Sequence, residues 1–371
     1  MDIIGIVAEY NPFHNGHLYQ INKVKELYPN SIVIICLGGY FLERGEISIE
    51  TKEEKTRLAL KYGADAVIEL PFVFGSNSAD IFADASVKLL NNLRINKLVF
   101  GSELNDIQVL TELAKKQLNK SFDKDLKKYL DEGINYPTAL NKALGYKVDT
   151  PNDLLGISYI KAILKNKFDI EPISIKRTND YHDNALYDDI VSASNIRARL
   201  ANKEDISRYI PEGNILTINH ELLFNLLKYK IISDDNLERY LTVDEGLDNR
   251  LKKVINESHT LEELIAKTKS KRYTRNRIMR MFTHILIGLT KEDKEELVEP
   301  EYVRLLGFNE KGAALLNVIR KHTTLPIITK YRNIDSKIKE YEMKAASIYS
   351  MLTNEDVLVF ENNNKPIKKE D

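Results

Sequence analysis

The stretch "IIGIVAEYNPFHNGH" (Ile3–His17) sets an apolar run against a turn and then two histidines three residues apart. The run is short, rich in isoleucine and without polar alternation, which reads as a strand buried on both faces. Asn11-Pro12 interrupts it. The 3.6-residue apolar spacing of "HLYQINKVKELY" (His17–Tyr28) then predicts a helix beginning near Gly16. His14 and His17 would face the same side, one helical turn apart. The unpaired N–H groups and positive dipole end of such a helix suit phosphate. Gly16 removes a Cβ where a phosphate oxygen would approach the backbone. Three readings compete. Zinc would need a third and fourth ligand, and no Cys/His cluster supplies them. Two core histidines with ordinary hydrogen bonds are the plain alternative. The third is an H-x-G-H nucleotidyl-transfer signature, in which imidazole N–H groups stabilise a charge-rich phosphorus centre. The strand before and the helix after favour the third, and no metal site is expected.

Outward from this segment the pattern repeats. Ser31–Leu37, Asp65–Leu70 and Asn96–Gly101 read as further buried strands, separated by helical patterns at Lys52–Gly63 and Ala79–Leu93. Such alternation predicts a Rossmann-like, doubly wound parallel sheet that binds ligands beyond its strands' C-terminal ends. "NPFHNGH", "GGYF" (Gly38–Phe41) and "GSE" (Gly101–Glu103) fall at such ends. Residues 105–165 read as a helical insertion. One helix start is marked by Thr150 as cap, Pro151 at the first helical position and Asp153 on the dipole. Glu171–Arg177 reads as one more strand, and "SASNIR" (Ser192–Arg197) begins a helix after a loop. Around "RYIPEGN" (Arg208–Asn214) strand signals stop. The expected division is therefore 1–204, the α/β part, and 205–371, a mostly helical part with a frayed polar tail, "ENNNKPIKKED" (Glu361–Asp371).

The chain has 371 residues, 54 basic against 55 acidic, so a polyanionic partner would have to meet a local patch. Its one cysteine, Cys36, excludes a disulfide framework, points to a reducing cytoplasm and reads as a packed small hydrophobe. The acidic start "MDIIGIVAEY" is not expected to be a signal peptide. No apolar run approaches the roughly 20 residues of a membrane helix, so no membrane association is expected.

Several positions could complete a nucleotide site. Gly101 would admit a nucleotide close to a strand end, or be a plain turn glycine. Asn152, in the first turn of a helix, could reach a base or ribose; helix-start chemistry explains it equally. Arg177 could neutralise phosphate or lie on the surface. Ser192 and Ser194 with Arg197 could hold outer phosphates, or simply cap a helix. Lys23 could assist His14 and His17, or be a solvated lysine.

Together these residues resemble one family, the bacterial tRNA(Met) cytidine acetate ligases. The motifs carrying the resemblance run nearly the full length: "EYNPFHNGH", "RGE", "GADAVIELPF", "LVFGSE", "PNDLLGISYIKA", "SASNIR", "EGLDNR", "KRYTRNR" and "LLGFNEKG". The resemblance implies a nucleotidyltransferase-type domain fused to a helical RNA-binding part. It implies that ATP and acetate give acetyl-adenylate, which acetylates the wobble cytidine of elongator tRNA(Met). It places ATP, expected with Mg²⁺, along Val7, Ala8, Glu9, Tyr10, Asn11, Pro12, Phe13, His14, Asn15, Gly16, His17, Leu18, Tyr19 and Gln20. Gly101, Asn152 and Arg177 match further ATP positions, and no protein partner is implied. One stretch departs: the family usually reads S-G-N-F-x-Q-R-G-E-P where this chain has "GGYFLERGEI" (Gly38–Ile47), which bears on acyl choice and cytidine placement. The rival readings are an adenylyltransferase for a small cofactor precursor and a non-catalytic tRNA-binding protein.

Leu264–Leu289 holds seven Lys/Arg and no acid. Such a concentration can supply sequence-independent phosphate affinity, or be a solvated helix face. Lys271, Arg272, Arg275 and Arg277 are the expected tRNA contacts, with Tyr273 stacking on an unpaired base.

Overall fold

β-Branched runs without polar interruption build the centre of the molecule. In the computed structural model, which describes residues 1–177, 189–363 and 365–369, these are β1 (Ile3–Ala8), β2 (Ile32–Gly38), β3 (Ala66–Leu70) and β4 (Lys97–Ser102). Between them run α1 (Asn15–Leu27), α2 (Lys52–Lys61), α3 (Phe72–Gly75) and α4 (Ala79–Asn92). The insertion supplies α5 (Ile107–Gln117), α6 (Phe122–Asp131), α7 (Tyr136–Leu144) and α8 (Pro151–Asn166), followed by β5 (Glu171–Lys176) and α9 (Ala193–Ala201). Most of the loop expected before Ser192 lies outside the described residues.

The sheet order is β5-β4-β1-β2-β3, all parallel. The chain leaves β1 toward β2 on one side, while β4 lies on the other. The crevice between β1 and β4 is therefore the switch point at which doubly wound sheets bind ligands. The expected Rossmann-like sheet is present, with a helical C-terminal region.

That region comprises α10 (His220–Ser233), α11 (Leu247–Val254), α12 (Leu261–Thr268), α13 (Arg275–Ile287) and α14 (Lys291–Glu296). After them come β6 (Val303–Phe308), α15 (Glu310–Ile319), β7 (Ile327–Ile328), α16 (Lys337–Thr353), α17 (Leu358–Asn363) and β8 (Ile367–Lys368). Here two expectations are corrected. Strand signals do not end at residue 205, because β6 pairs antiparallel with β3 and extends the same sheet. The tail is not simply frayed, because β8 pairs with β6 and Glu361 is fully buried. The physical reason is charge burial: Arg304 interrupts the apolar run of β6, and its acidic partners come from elements far away in sequence.

Those partners form a sealed ionic cluster. Lys52 contacts Glu69, Glu342 (2.8 Å) and Glu361 (2.9 Å), and Arg304 contacts Glu69 (3.1 Å) and Glu361. Tyr40 donates to Glu361 at 2.6 Å, and Tyr331 donates to Glu69. Two cations face three carboxylates. Burial pushes Glu342 up to about 7 against the pull of Lys52; burial would raise Glu361 too, but Lys52 and Arg304 hold it down.

Candidate active site

The histidine loop is held from several directions. The Phe13 N–H donates to Glu50 at 2.7 Å, and the Ile49 N–H donates to the Asn11 side chain at 2.9 Å. Arg197 donates to the Asn11 carbonyl at 2.6 Å and pairs with Glu46 at 2.7 Å. Asn15 donates its side-chain amide to the carbonyls of Asp189 and Arg208, both at 3.0 Å. Ile49 and Glu50 gave no sequence signal of this role. Arg197 is thus a brace for the loop.

His14 caps α1 reciprocally with His17. Nδ1 of His14 accepts the Gly16 N–H at 3.0 Å, and Nδ1 of His17 accepts the His14 N–H at 3.2 Å. With both Nδ1 atoms accepting, each neutral ring carries its proton on Nε2. The ring centroids lie 3.8 Å apart, so the two Nε2–H groups belong to one patch. Burial lowers His14 to about 3, helped by the charges of Arg177 and Arg197. Burial, His14 and Arg177 push His17 well below its usual value. Both rings are therefore neutral donors near pH 7. Gly16 has a sharper reason than phosphate approach: a Cβ there would stand 2.7 Å from Cε1 of His14.

A depressed histidine also has a stability signature. The unfolded chain protonates near pH 6.5 while folded His14 resists until about 3, so stability falls as pH drops below 6.5. The slope is about 1.4 kcal/mol per pH unit for one such group. His14→Asn is expected to flatten that acid limb by about this amount, measured by urea unfolding between pH 4.5 and 7.

Gly101, Asn152 and Arg177 come together at the end of β4. A Cβ on Gly101 would lie 3.3 Å from Cγ of Arg177. Asn152 donates to Glu103 at 2.6 Å, and Glu103 lies 3.4 Å from Arg177. Thr150 does not cap α8 through an accepted N–H; its hydroxyl donates to Asp153, which also accepts from Ser102 and the Leu104 N–H (3.1 Å). Asp153 thereby ties α8 to the end of β4 and fixes Asn152 beside Glu103. Val7 and Ala8 end β1, while Leu18, Tyr19 and Gln20 lie half-buried in the first two turns of α1. Ser192 caps α9 by accepting the Asn195 N–H at 3.2 Å, and its Oγ lies 3.0 Å from that of Ser194. Lys23 pairs with Glu26 at 2.7 Å, two turns along α1.

On the other side of β1 stand residues that the sequence reading passed over. Lys55 is fully buried and donates to the carbonyls of Glu9 (2.9 Å), Gly38 (2.7 Å) and Gly39 (2.8 Å), joining the ends of β1 and β2. Burial lowers its pKa to about 7, but three carbonyl acceptors match the three N–H groups of the ammonium. The departing "GGYF" loop turns Tyr40 inward to the ionic cluster, with its ring 4.5 Å from that of Tyr349. Tyr40 therefore does not line the crevice.

Acids of the fold answer the basic segment. Tyr273 is largely buried and donates to Glu245 at 2.7 Å, with Arg277 lying 4.9 Å over one face of its ring, so that face is already taken. Arg272 pairs with Glu245 (2.6 Å), Arg275 with Glu262 (2.6 Å) and Arg277 with Asp244 (3.0 Å). Lys271 is exposed. The acids come from segments outside Leu264–Leu289, which the local charge count could not show. "EGLDNR" and "KRYTRNR" nevertheless meet: Asn249, Arg250, Lys253, Lys267 and Tyr273 line one open cleft of about 580 Å³.

A sequence model of the HIGH Nucleotidyl Transferase family matches residues 1–364. The chain belongs to that family. It is 36% identical over 381 residues to the tRNA(Met) cytidine acetate ligase of Geobacillus sp. (strain WCH70), covering 95% of each chain. The enzyme of the same name from Thermoanaerobacter sp. (strain X514) is 37% identical over 382 residues, again covering 95% of each. A crystal structure of Thermotoga maritima TmcAL bound with alpha-thio ATP superposes with a TM-score of 0.89 at 29% identity, covering 99% of both chains. Homology to this ligase family supports an enzyme that binds ATP. Among the described residues, no helix is long and apolar enough to cross a membrane.

Proposed function

We propose that this protein activates acetate with ATP and passes the acetyl group to N4 of the wobble cytidine in elongator tRNA(Met). The observation that carries the first half is the pair of neutral Nε2–H donors at the N-terminus of α1, beside Arg177. An acetate oxygen attacks the α-phosphorus in line and pyrophosphate leaves. His14 and His17 donate to the phosphoryl oxygens as charge builds, without giving up a proton. Gly101, Asn152 and Arg177 bind the nucleotide along β4, with Ser192 and Ser194 nearer the outer phosphates. Mg²⁺ would travel on the phosphates of ATP. Lys23, tied to Glu26, is assigned at most a distant electrostatic part.

The second half rests on the ligase relatives and on the cleft joining the two basic motifs. The pairs holding Arg272, Arg275 and Arg277 are partly exposed and therefore weak, so tRNA phosphates can replace the carboxylates. Lys271 stands ready beside them.

The test is acetate-dependent ATP–pyrophosphate exchange, followed by mass analysis of tRNA for N4-acetylcytidine. Exchange that ignores acetate, or tRNA left unmodified, would sink the proposal. Truncation near residue 205 cannot separate this reading from a small-molecule adenylyltransferase. It would remove Arg304, Glu342 and Glu361 and leave Lys52 and Glu69 in the core.

A further inference from the structure

β1 divides the mouth of the sheet. The nucleotide residues lie toward β4 and β5, whereas past the paired ends of β1 and β2 stand Glu9, Gly38 and, hydrogen-bonded to Glu9, the loop carrying Glu43 and Arg44. Glu9 ends this side of the motif strand. Its Oε1 accepts the Glu43 N–H at 2.6 Å, which orients the carboxylate. Its Oε2 has no hydrogen-bond partner among the described residues and is not sealed from solvent. Gly38 leaves the flank of Glu9 open: even a Cβ there would sit 3.5 Å from Cγ of Glu9, with no clash.

Arg44 is the other half of the observation. Its side chain is half-buried, and it makes no hydrogen bond or ion pair to a described residue. Its charge is felt by both Glu9 and Glu43. Glu43 itself is committed to Arg280 at 2.6 Å. The loop cannot readily swing away, because Gly45 (φ +72°) lies against the backbone of α13, where a Cβ would stand 2.3 Å from the Arg280 nitrogen. Arg44, without a partner among the described residues, and the open Oε2 of Glu9 together offer a set of donors and an acceptor to a polar ligand.

The ligand's chemistry follows from the donors. A carboxylate oxygen accepts an amine hydrogen, and a guanidinium donates to neighbouring acceptors. Cytosine presents that set along one edge: the N4 amine as donor, then N3 and O2 as acceptors. We infer that Glu9 and Arg44 receive the acceptor cytosine on the β2 side of β1, with Arg44 donating to N3 and O2 and Glu9 taking a proton from N4 during transfer. The inference rests on the proposal that the acceptor is a tRNA cytidine. In the step, the N4 lone pair forms the C–N bond to the acetyl carbon of acetyl-adenylate. The bond from that carbon to the phosphate oxygen breaks and AMP leaves. One N4 proton passes to Oε2 of Glu9 and then to water, leaving the amide.

Glu9 is suited to hold that proton. Burial, with repulsion from Glu43, raises its pKa to about 7, against the opposing pull of the Glu43 N–H, Lys55 and Arg44. The groups facing it are Glu43 and Arg44 from the loop, Lys55 from α2 and Tyr159 from α8.

The experiment supplies the second step alone. Full-length protein is mixed with chemically prepared acetyl-adenylate and unmodified elongator tRNA(Met), and N4-acetylcytidine is followed in a single turnover from pH 6 to 8.5. Wild type should transfer faster as pH rises through about 7, then level off. Glu9→Gln, whose amide oxygen can still accept the Glu43 N–H, should slow transfer by about 100-fold or more and lose the pH limb. Arg44→Met should slow transfer while keeping the limb. Wild type that fails to transfer from acetyl-adenylate overturns the function proposed above. Wild type that transfers with a flat profile, or Glu9→Gln at the wild-type rate, overturns the role of Glu9 alone. Arg44→Met at the wild-type rate removes Arg44 from the cytosine site.

Discussion

His14→Asn is expected to slow acetate-dependent ATP–pyrophosphate exchange by about 10²- to 10³-fold. The substitution is chosen from the capping geometry. Nδ1 of His14 accepts the Gly16 N–H, and an asparagine Oδ1 can occupy that position, so the start of α1 is kept. What asparagine lacks is the Nε2–H on the far side of the ring. His14→Ala removes both, and should add about 1 kcal/mol of instability to the same loss of rate. The comparison separates chemistry from capping. If Asn restores exchange while Ala does not, the histidine is a structural cap and the phosphate donor lies elsewhere. tRNA binding measured in parallel guards against a third outcome, since loss of exchange and binding together would mean a folding defect. pH adds another check. With His14 near 3 and His17 displaced in the same direction, neither ring titrates between pH 5 and 8. No limb in exchange over that range should disappear in His14→Asn.

What the sequence made readable was whatever its local pattern enforces. β1 to β5 are apolar or β-branched runs whose partners are equally apolar, so each announces itself. The histidine pair was readable because a strand, a turn and a helix leave few places for it to point. Lys52 and Lys55 were not readable. Their helix looks like a charged surface helix, yet both lie on the buried face with Thr56 and Ala59. Only the distant carboxylates and strand-end carbonyls explain them. The basic segment is the opposite case. Its charge density was correctly read, but Asp244, Glu245 and Glu262 answer it from neighbouring segments. Local charge predicts a field only when the chain does not fold acids onto it.

The tail is the clearest case, and it carries the largest expected effect on stability. Glu361→Ala should cost about 3–5 kcal/mol, the range for removing one partner of a buried ion pair. Glu361 is the carboxylate shared by Lys52, Arg304 and the Tyr40 hydroxyl, all sealed from solvent. Removing it leaves two buried cations against Glu69 and Glu342, with Nε and Nη2 of Arg304 already lacking hydrogen-bond partners. Glu342, raised by burial to about 7, can answer by ionising more fully. The deficit should therefore be larger at pH 6 than at pH 8, where Glu342 ionises more readily. Glu361→Gln keeps an acceptor for Tyr40 and should recover part of the loss, which distinguishes the hydrogen bond from the charge. A truncation ahead of α17 should be at least as destabilising as Glu361→Ala. Chemical unfolding at the two pH values measures all three. A tail that could be removed with no change in the midpoint would mean that the cluster does not close on Glu361. Tyr40 couples this cluster to the loop holding Glu43 and Arg44, so partial unfolding of the tail should also slow acetyl transfer before it slows exchange. The polar tail of the sequence is in this sense part of the wall behind the side of β1 proposed to receive the acceptor.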